Sequence, residues 1–261
     1  MLPLAELRGA GRLKGLLFDI DDTLTTGGTL TAQAYGAMER LKRAGRLVVP
    51  ITGRPAGWCD HIARMWPVDA VVGENGAFYF AYSGGRLHKR YMDDAATRAA
   101  QRARLSAVAQ RILEAVPGCA IASDQAYRET DLAIDFCEDV PALGLEAATR
   151  IRDLMLAEGM AARVSSIHVN GWFGAYDKLA MTRLLLAECF KLDLSAAKAE
   201  LAFAGDSPND EPMFGFFDHS VGVANVRRFS EQLDAAPKYV TRAEAGAGFA
   251  ELAAHLLQGS G

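Results

Sequence analysis

Little in this chain of 261 residues points to disulfides, metal-binding cysteines or polyanion binding. Its four cysteines (Cys59, Cys119, Cys137, Cys189) are widely spread and form no CxxC pair. Reduced, mostly buried thiols are therefore expected, not a disulfide framework or a zinc site. The five histidines are equally scattered, which argues against a histidine metal cluster. A net charge of −4 supports neither nucleic-acid nor anionic-membrane binding, so no such partner is expected. No apolar run approaches the length of a membrane-spanning helix. The opening Met1-Leu-Pro-Leu-Ala-Glu lacks the basic region and apolar core of a signal peptide, and the expected location is cytoplasmic. There is no internal repeat, low-complexity tract or long linker. What remains is an ordinary globular composition, 50% hydrophobic and 23% charged, long enough for one large or two modest domains.

Strand and helix patterns alternate at the start of the chain. Gly15–Asp19 reads as a strand, Ala32–Ala44 as a helix stopped by Gly45, Arg46–Thr52 as a strand, Gly57–Met65 as a helix and Val68–Val72 as a strand. This βαβαβ order predicts a parallel, doubly wound sheet with right-handed crossovers. Ala77–Tyr82 and Arg86–Tyr91, joined through Ser83-Gly84-Gly85, then read as a β-hairpin. A long helix over Ala95–Val116 follows, ended by Pro117-Gly118. Cys119–Ala122, Leu132–Phe136 and Ala161–Asn170 read as strands around a helix at Leu143–Ala157. Alternation resumes with a helix at Asp177–Phe190, a buried strand at Leu201–Gly205, a short helix after Asp210, strands at Ser220–Val223 and Lys238–Thr241, and a closing helix at Ala247–Leu257. The expected architecture is one α/β core built from both ends of the chain, residues 1–90 and 172–261, interrupted by an α/β domain inserted at 91–171.

The run Leu16-Leu17-Phe18-Asp19-Ile20-Asp21-Asp22 carries the first chemical signal. An apolar strand ends abruptly in acid, at the edge where open α/β sheets bind ligands. In extended backbone Asp19 and Asp21 point one way and Asp22 the other. Two converging carboxylates repel unless a cation sits between them, and hard oxygen ligands suit Mg²⁺. Thr52-Gly53-Arg54 ends a second strand and offers a hydroxyl and backbone N–H groups to an anion, with Arg54 facing either substrate or solvent. Gly205-Asp206-Ser207-Pro208-Asn209-Asp210 follows a third strand, either as an Asp-capped turn or as a second source of magnesium ligands. Lys178 sits at a helix start, where a cation is usually disfavoured.

Asp19, Thr52, Lys178 and Asp206 each fall at or beside the end of a core element, at intervals of 33, 126 and 28 residues. In this order the set resembles the haloacid dehalogenase-like (HAD) superfamily of phosphohydrolases. The insert between Thr52 and Lys178 resembles the large α/β cap of the Cof-type and sucrose-phosphatase-like branch, and Asn75-Gly76-Ala77 is similar to a segment of that branch. The resemblance implies a Rossmann-like core with an inserted cap, and a Mg²⁺-dependent phosphatase acting on a small phosphorylated metabolite, a sugar phosphate above all. It makes Asp19 the nucleophile and Asp21 the proton carrier. It gives Mg²⁺ to Asp19, the Asp21 carbonyl and Asp206, with Asp210 close by or one shell out, and the phosphoryl oxygens to Thr52, Gly53, Lys178 and Asn209. One departure is Asp at position 22, where Gly is commonest. A phosphomutase of the same superfamily is the nearest alternative, separable by measuring free phosphate against isomerised sugar phosphate. A phospho-aspartate receiver or a non-catalytic binding protein is disfavoured by the insert and by the intact motifs. His168, on a strand near the return to the core, reads more readily as packed than as functional, and Trp172 as a packing or hinge residue.

Overall fold

The computed structural model describes residues 1–165 and 167–258. The first run comprises β1 (Leu2–Pro3), β2 (Gly15–Phe18), α1 (Ala32–Arg43), β3 (Leu47–Pro50), α2 (Ala56–Met65), β4 (Val71–Gly73), β5 (Phe78–Ser83) and β6 (Arg86–Tyr91). The middle run comprises α3 (Ala95–Ala115), β7 (Ala120–Ile121), β8 (Asp131–Asp135), α4 (Gly144–Ala157), β9 (Ala161–Val164) and β10 (His168–Trp172). The last run comprises α5 (Lys178–Phe190), α6 (Leu194–Ala197), β11 (Leu201–Gly205), α7 (Glu211–Phe216), β12 (His219–Gly222), β13 (Tyr239–Val240) and α8 (Ala245–Leu257).

The core sheet has the order β1-β13-β12-β11-β2-β3, and every pairing in it is parallel. It mixes the two ends of the chain, with β11 and β3 flanking β2. That central place explains why all four residues of β2 are buried and why it reads as an unbroken apolar run. Phe18 packs on Phe249 of α8 with ring centroids 4.8 Å apart, on the face that α1 and α8 cover. On the other face Leu17, Val49, Ile51 and Phe203 pack against Leu185 and Leu186 of α5 and against Met213 and Phe214 of α7.

The third strand pairs on both sides. Val71–Gly73 pairs antiparallel with β5, within the three-stranded sheet β4-β5-β6. A parallel bridge from Ile51 to Val72 is what joins it to the core sheet. The hairpin turn is Gly84-Gly85, with φ of +57° and +75°. Two consecutive positive φ values fit a type I′ turn, which glycine adopts at little cost.

The middle run forms its own antiparallel sheet, β7-β8-β10-β9. Leu105, Val108 and Ile112 of α3 and Ile151 and Met155 of α4 pack on it around Leu132, Ile134 and Val169. The α3 arginines lie on aromatic faces as well as in solvent: Arg98 stacks 3.8 Å from the Tyr91 ring and Arg104 3.6 Å from that of Phe173. Trp172 is buried, stacks on Tyr176 and donates its indole N–H to the Tyr176 carbonyl at 3.2 Å, so it is a packing residue. Among the described residues no helix is long and apolar enough to cross a membrane.

One glycine ties this scaffold to the chemistry. Gly76 has φ of +105°, and a Cβ there would lie 2.1 Å from the Asp177 carbonyl oxygen and 2.8 Å from the Lys178 nitrogen. The turn after β4 thus sets where α5 begins. Gly76→Ala is expected to lower stability by about 1–3 kcal/mol, the usual cost of overpacking a tight contact, read as a shifted midpoint in urea unfolding. An unshifted midpoint would show that α5 can move away freely.

Candidate active site

Parallel pairing sends the ends of β2, β3 and β11 to one edge of the sheet. Asp19, Thr52 and Asp206 emerge there side by side, the first fixed by its N–H to the Ala204 carbonyl at 2.9 Å. Asp19, Asp206 and Asp210 are all buried, and one carboxylate oxygen from each lies within 4.8 Å of the others. Gly205 makes this approach feasible, since a Cβ at that position would sit 2.4 Å from Asp210 Oδ2.

Lys178, buried in the first turn of α5, places its Nζ 2.8 Å from Asp19 Oδ1 and 2.7 Å from Asp210 Oδ1. Asp177 caps the helix by accepting from the Ala180 N–H at 2.7 Å. A lysine beside the positive end of a helix is unfavourable alone; here two buried carboxylates reverse the balance. Burial would lower the Lys178 pKa, yet Asp19 and Asp210 hold it above the ordinary lysine value. Asp210 has both oxygens engaged, Oδ1 with Lys178 and Oδ2 with the Asp206 N–H at 3.1 Å. Asp206 accepts from Thr23 Oγ1 at 3.3 Å and Asn225 Nδ2 at 3.2 Å. Asn225 Nδ2 also donates to the Asp22 carbonyl, and Asn225 Oδ1 accepts from the Ala245 N–H.

One ammonium therefore faces three carboxylates. Burial pushes the Asp19 carboxyl up to about 8, with Lys178 opposing and Asp210 and Asp21 adding to the rise. Asp206 is likewise held well above the usual carboxylate range, by burial and by Asp19 and Asp210. This donor set, all oxygen and short of positive charge, fits a hard divalent cation such as Mg²⁺.

Asp21 lines the same pocket as Asp19 and its charge helps to raise the Asp19 carboxyl. The strand stops at Phe18 and residues 21–24 form a turn. Asp22 has φ of +55°, in the left-handed region. Glycine suits that conformation best and aspartate tolerates it better than most residues, which accounts for the departure at this position. The Asp21 carboxylate also meets Arg54, whose Nε and Nη2 donate to it at 2.8–3.0 Å. Arg54 is buried, lies over the Trp58 ring at 4.5 Å and reaches the inserted domain through Glu138 Oε1 at 3.2 Å. His168 Nε2 stands 2.8 Å from Glu138 Oε2, so a line of contacts runs from the inserted sheet to Asp21. His168 and Arg54 together hold the Glu138 carboxyl down at about 2 against burial.

The Thr52 loop is equally tied down. Thr52 is buried, and its hydroxyl accepts from the Arg54 N–H at 3.0 Å. Arg128 of the inserted domain donates to the Gly53 carbonyl at 2.9 Å and is itself paired with Asp124 and Asp131. Glu74 accepts from the N–H groups of Ala56, Glu129 and Thr130 and from the Thr130 hydroxyl. Burial and Asp131 raise its carboxyl to about 7, with Arg128 and these donors pulling the other way. A small polar pocket of about 20 Å³ is enclosed among Asp19, Asp21, Gly53 and Asn209 of the core and His168 and Asn170 of the insert. That is room for about one water molecule, so the insert is closed over the core edge. Asn209 accepts from Ser207 Oγ at 2.8 Å and lines this pocket.

Of the sequence-predicted residues, Asp19, Lys178, Asp206 and Asp210 form one buried cluster. Asp21, Gly53, Arg54 and Asn209 join Asp19 in lining the pocket, with Thr52 buried just behind it. Sequence reasoning missed Glu74, Arg128, Glu138 and Asn225. Glu74 alone left a local signal, a charge directly after an apolar strand and between two glycines one and two residues away.

Residues 16–113 match the family model described as haloacid dehalogenase-like hydrolase. No curated protein matches the chain. Solved structures with the same fold include a Thermoplasma acidophilum protein, with TM-score 0.72 and 17% identity over 94% of this chain and 98% of that one. A phosphatase of the haloalkanoate (HAD) enzyme superfamily from Bacteroides thetaiotaomicron aligns with TM-score 0.61 and 20% identity, over 95% of this chain and 97% of that one. The sucrose-phosphatase of Synechocystis sp., in complex with sucrose and phosphate, aligns with TM-score 0.63 and 16% identity over 94% and 98%. Residues 16–113 are thus similar to the haloacid dehalogenase-like hydrolase family, and the chain as a whole carries the α/β fold of these structures.

Proposed function

We propose that this protein is a Mg²⁺-dependent phosphatase of small phosphorylated metabolites. The observation that carries the reading is the buried cluster of Asp19, Asp206 and Asp210 around Lys178, at the sheet edge where Thr52 also ends. Asp19 is the nucleophile: its carboxylate attacks phosphorus and forms an aspartyl-phosphate as the leaving oxygen departs. Asp21 gives that oxygen its proton and later takes one from the attacking water. Lys178, the Thr52 hydroxyl, the Gly53 N–H and Asn209 hold phosphoryl oxygens as charge shifts during transfer.

Asp19, Asp206 and the Asp21 carbonyl would hold Mg²⁺. Asp210, with both oxygens already bonded, sits one shell out and positions Lys178 and the Asp206 N–H. The cation offsets the repulsion between a carboxylate and a phosphate dianion. Residues 91–171 act as the cap, excluding bulk water when closed. Because the closed pocket holds about one water, substrate entry requires the Arg54–Glu138, Arg128–Gly53 and Glu74–Thr130 contacts to part. Arg54, bonded to Asp21 and Glu138, is free to meet substrate only as these contacts exchange.

Sugar phosphates are the first substrates to assay, since the fold is shared with a sucrose-phosphatase. The test is phosphate release by the purified protein from a panel of phosphorylated metabolites with Mg²⁺. Chelating the metal is expected to abolish release and adding Mg²⁺ back to restore it. Turnover that persists in chelator would overturn the metal role. Isomerised sugar phosphate in place of free phosphate would assign a mutase.

A further inference from the structure

We infer that Asn75 is an additional phosphoryl-contacting residue, its side-chain amide donating to an oxygen of the bound phosphate. The inference rests on the phosphatase reading and extends its binding set to a fifth segment, the turn after β4.

Three observations converge on this residue. The first is an unpaired donor. Asn75 is 4% exposed and lines the small pocket with Asp19 and Asn209. Its Nδ2 is buried with no hydrogen-bond partner among the described residues. A buried amide left unpaired costs about 1–3 kcal/mol, and such groups in a folded protein call for a reason. A ligand oxygen in the pocket would supply one.

The second is backbone geometry. Glu74 and Asn75 both have positive φ, +42° and +55°. Non-glycine residues held in this region gather at functional sites, where the surroundings impose the conformation. Here the surroundings are explicit. The Asn75 N–H donates to the Thr52 carbonyl at 3.1 Å, and the Glu74 carboxylate is anchored by three backbone N–H groups. The turn is thereby fastened to the Thr52 loop on one side and to the cap on the other.

The third is the fit with Gly53. A Cβ at position 53 would lie 3.2 Å from both Asn75 Nδ2 and Oδ1. With glycine there, the amide lies directly along the backbone that offers the Gly53 N–H. Two donors from separate segments then face the same space. An anionic oxygen is the chemistry that matches such a pair.

The test is calorimetric titration of inorganic phosphate with Mg²⁺ present, on the wild type, Asn75→Gly and Asn75→Asp, with kcat/KM on the best panel substrate. Asn75→Gly removes the amide and suits the positive φ, so the fold is kept. Phosphate affinity and kcat/KM are both expected to fall about tenfold, the effect of one lost hydrogen bond to a charged group, with the thermal midpoint unchanged. Asn75→Asp keeps the shape but turns a carboxylate on the phosphate, and is expected to fall further. A merely structural role would lower the thermal midpoint and leave phosphate affinity of the folded protein as in the wild type. Wild-type affinity in either folded variant overturns the inference and leaves the phosphatase reading standing. A wild type that neither binds phosphate nor releases it from any monoester overturns both.

Discussion

Asn in place of Asp19 is expected to remove phosphate release, by at least about 10⁴-fold, while leaving the protein folded. The amide has nearly the size of the carboxylate and can still accept from Lys178, which approaches Asp19 at 2.8 Å. What it loses is nucleophilicity and the charge that a cation would meet. The substitution also eases the crowding of carboxylates, since the Asp19 charge raises the cost of ionising Asp206. Asp19→Asn is therefore expected to be no less stable than the wild type in chelator. Circular dichroism and a urea titration check the fold, and a phosphate-release assay checks the loss. Turnover in the folded variant would remove Asp19 from the role of nucleophile.

Replacing Lys178 by Met attacks the same cluster from the other side. Among the described residues the ammonium is the one cation bonded to Asp19 and Asp210, and all three groups are buried. Taking one partner out of a buried ion pair typically costs about 3–5 kcal/mol, because the charge left behind is uncompensated. The urea midpoint of Lys178→Met is expected to fall accordingly in chelator. The pH dependence has a definite sign. The native Asp19 carboxyl sits at about 8, above the 3.8 of a free aspartate. Between those values the native state holds a proton that the unfolded chain has released, so stability is present at low pH and is lost as pH rises toward 8. Without Lys178 that carboxyl rises further and the decline extends to higher pH. Mg²⁺ is expected to flatten the slope in the wild type, since a bound cation favours the ionised carboxylates. A slope unaffected by Mg²⁺ would mean that the cluster binds none.

Most of the core was legible because its signals are local. β2 and β11 are central strands, and buried parallel strands read as continuous apolar runs. The strand ends named Asp19, Thr52 and Asp206 directly. What the strand ends did not show was the partner of Asp21: beside Asp19 in the pocket, its carboxylate is held by Arg54. The third strand keeps its expected parallel neighbour, through the Ile51–Val72 bridge, and adds an antiparallel pairing that its residues do not announce. Its apolar residues are buried in either sheet, and only pairing decides that β4 joins the hairpin.

The cap contacts were not legible at all. Arg54 with Glu138 and Glu74 with Thr130 are separated by 84 and 56 residues, and neither pair follows any periodicity. His168 shows the limit well. Nothing on its own strand distinguishes it, yet the fold sets it against Glu138 and beside the pocket. Asn75 lay within a segment already singled out, but an unpaired donor is visible only once its surroundings are known.

The most direct measurement is acid quench of the protein during turnover of an active phosphomonoester, followed by peptide mapping by mass. A single added phosphoryl group on Asp19, absent from Asp19→Asn and absent without Mg²⁺, is the expected result. A phosphoryl group on any other residue, or steady phosphate release by Asp19→Asn, would contradict it.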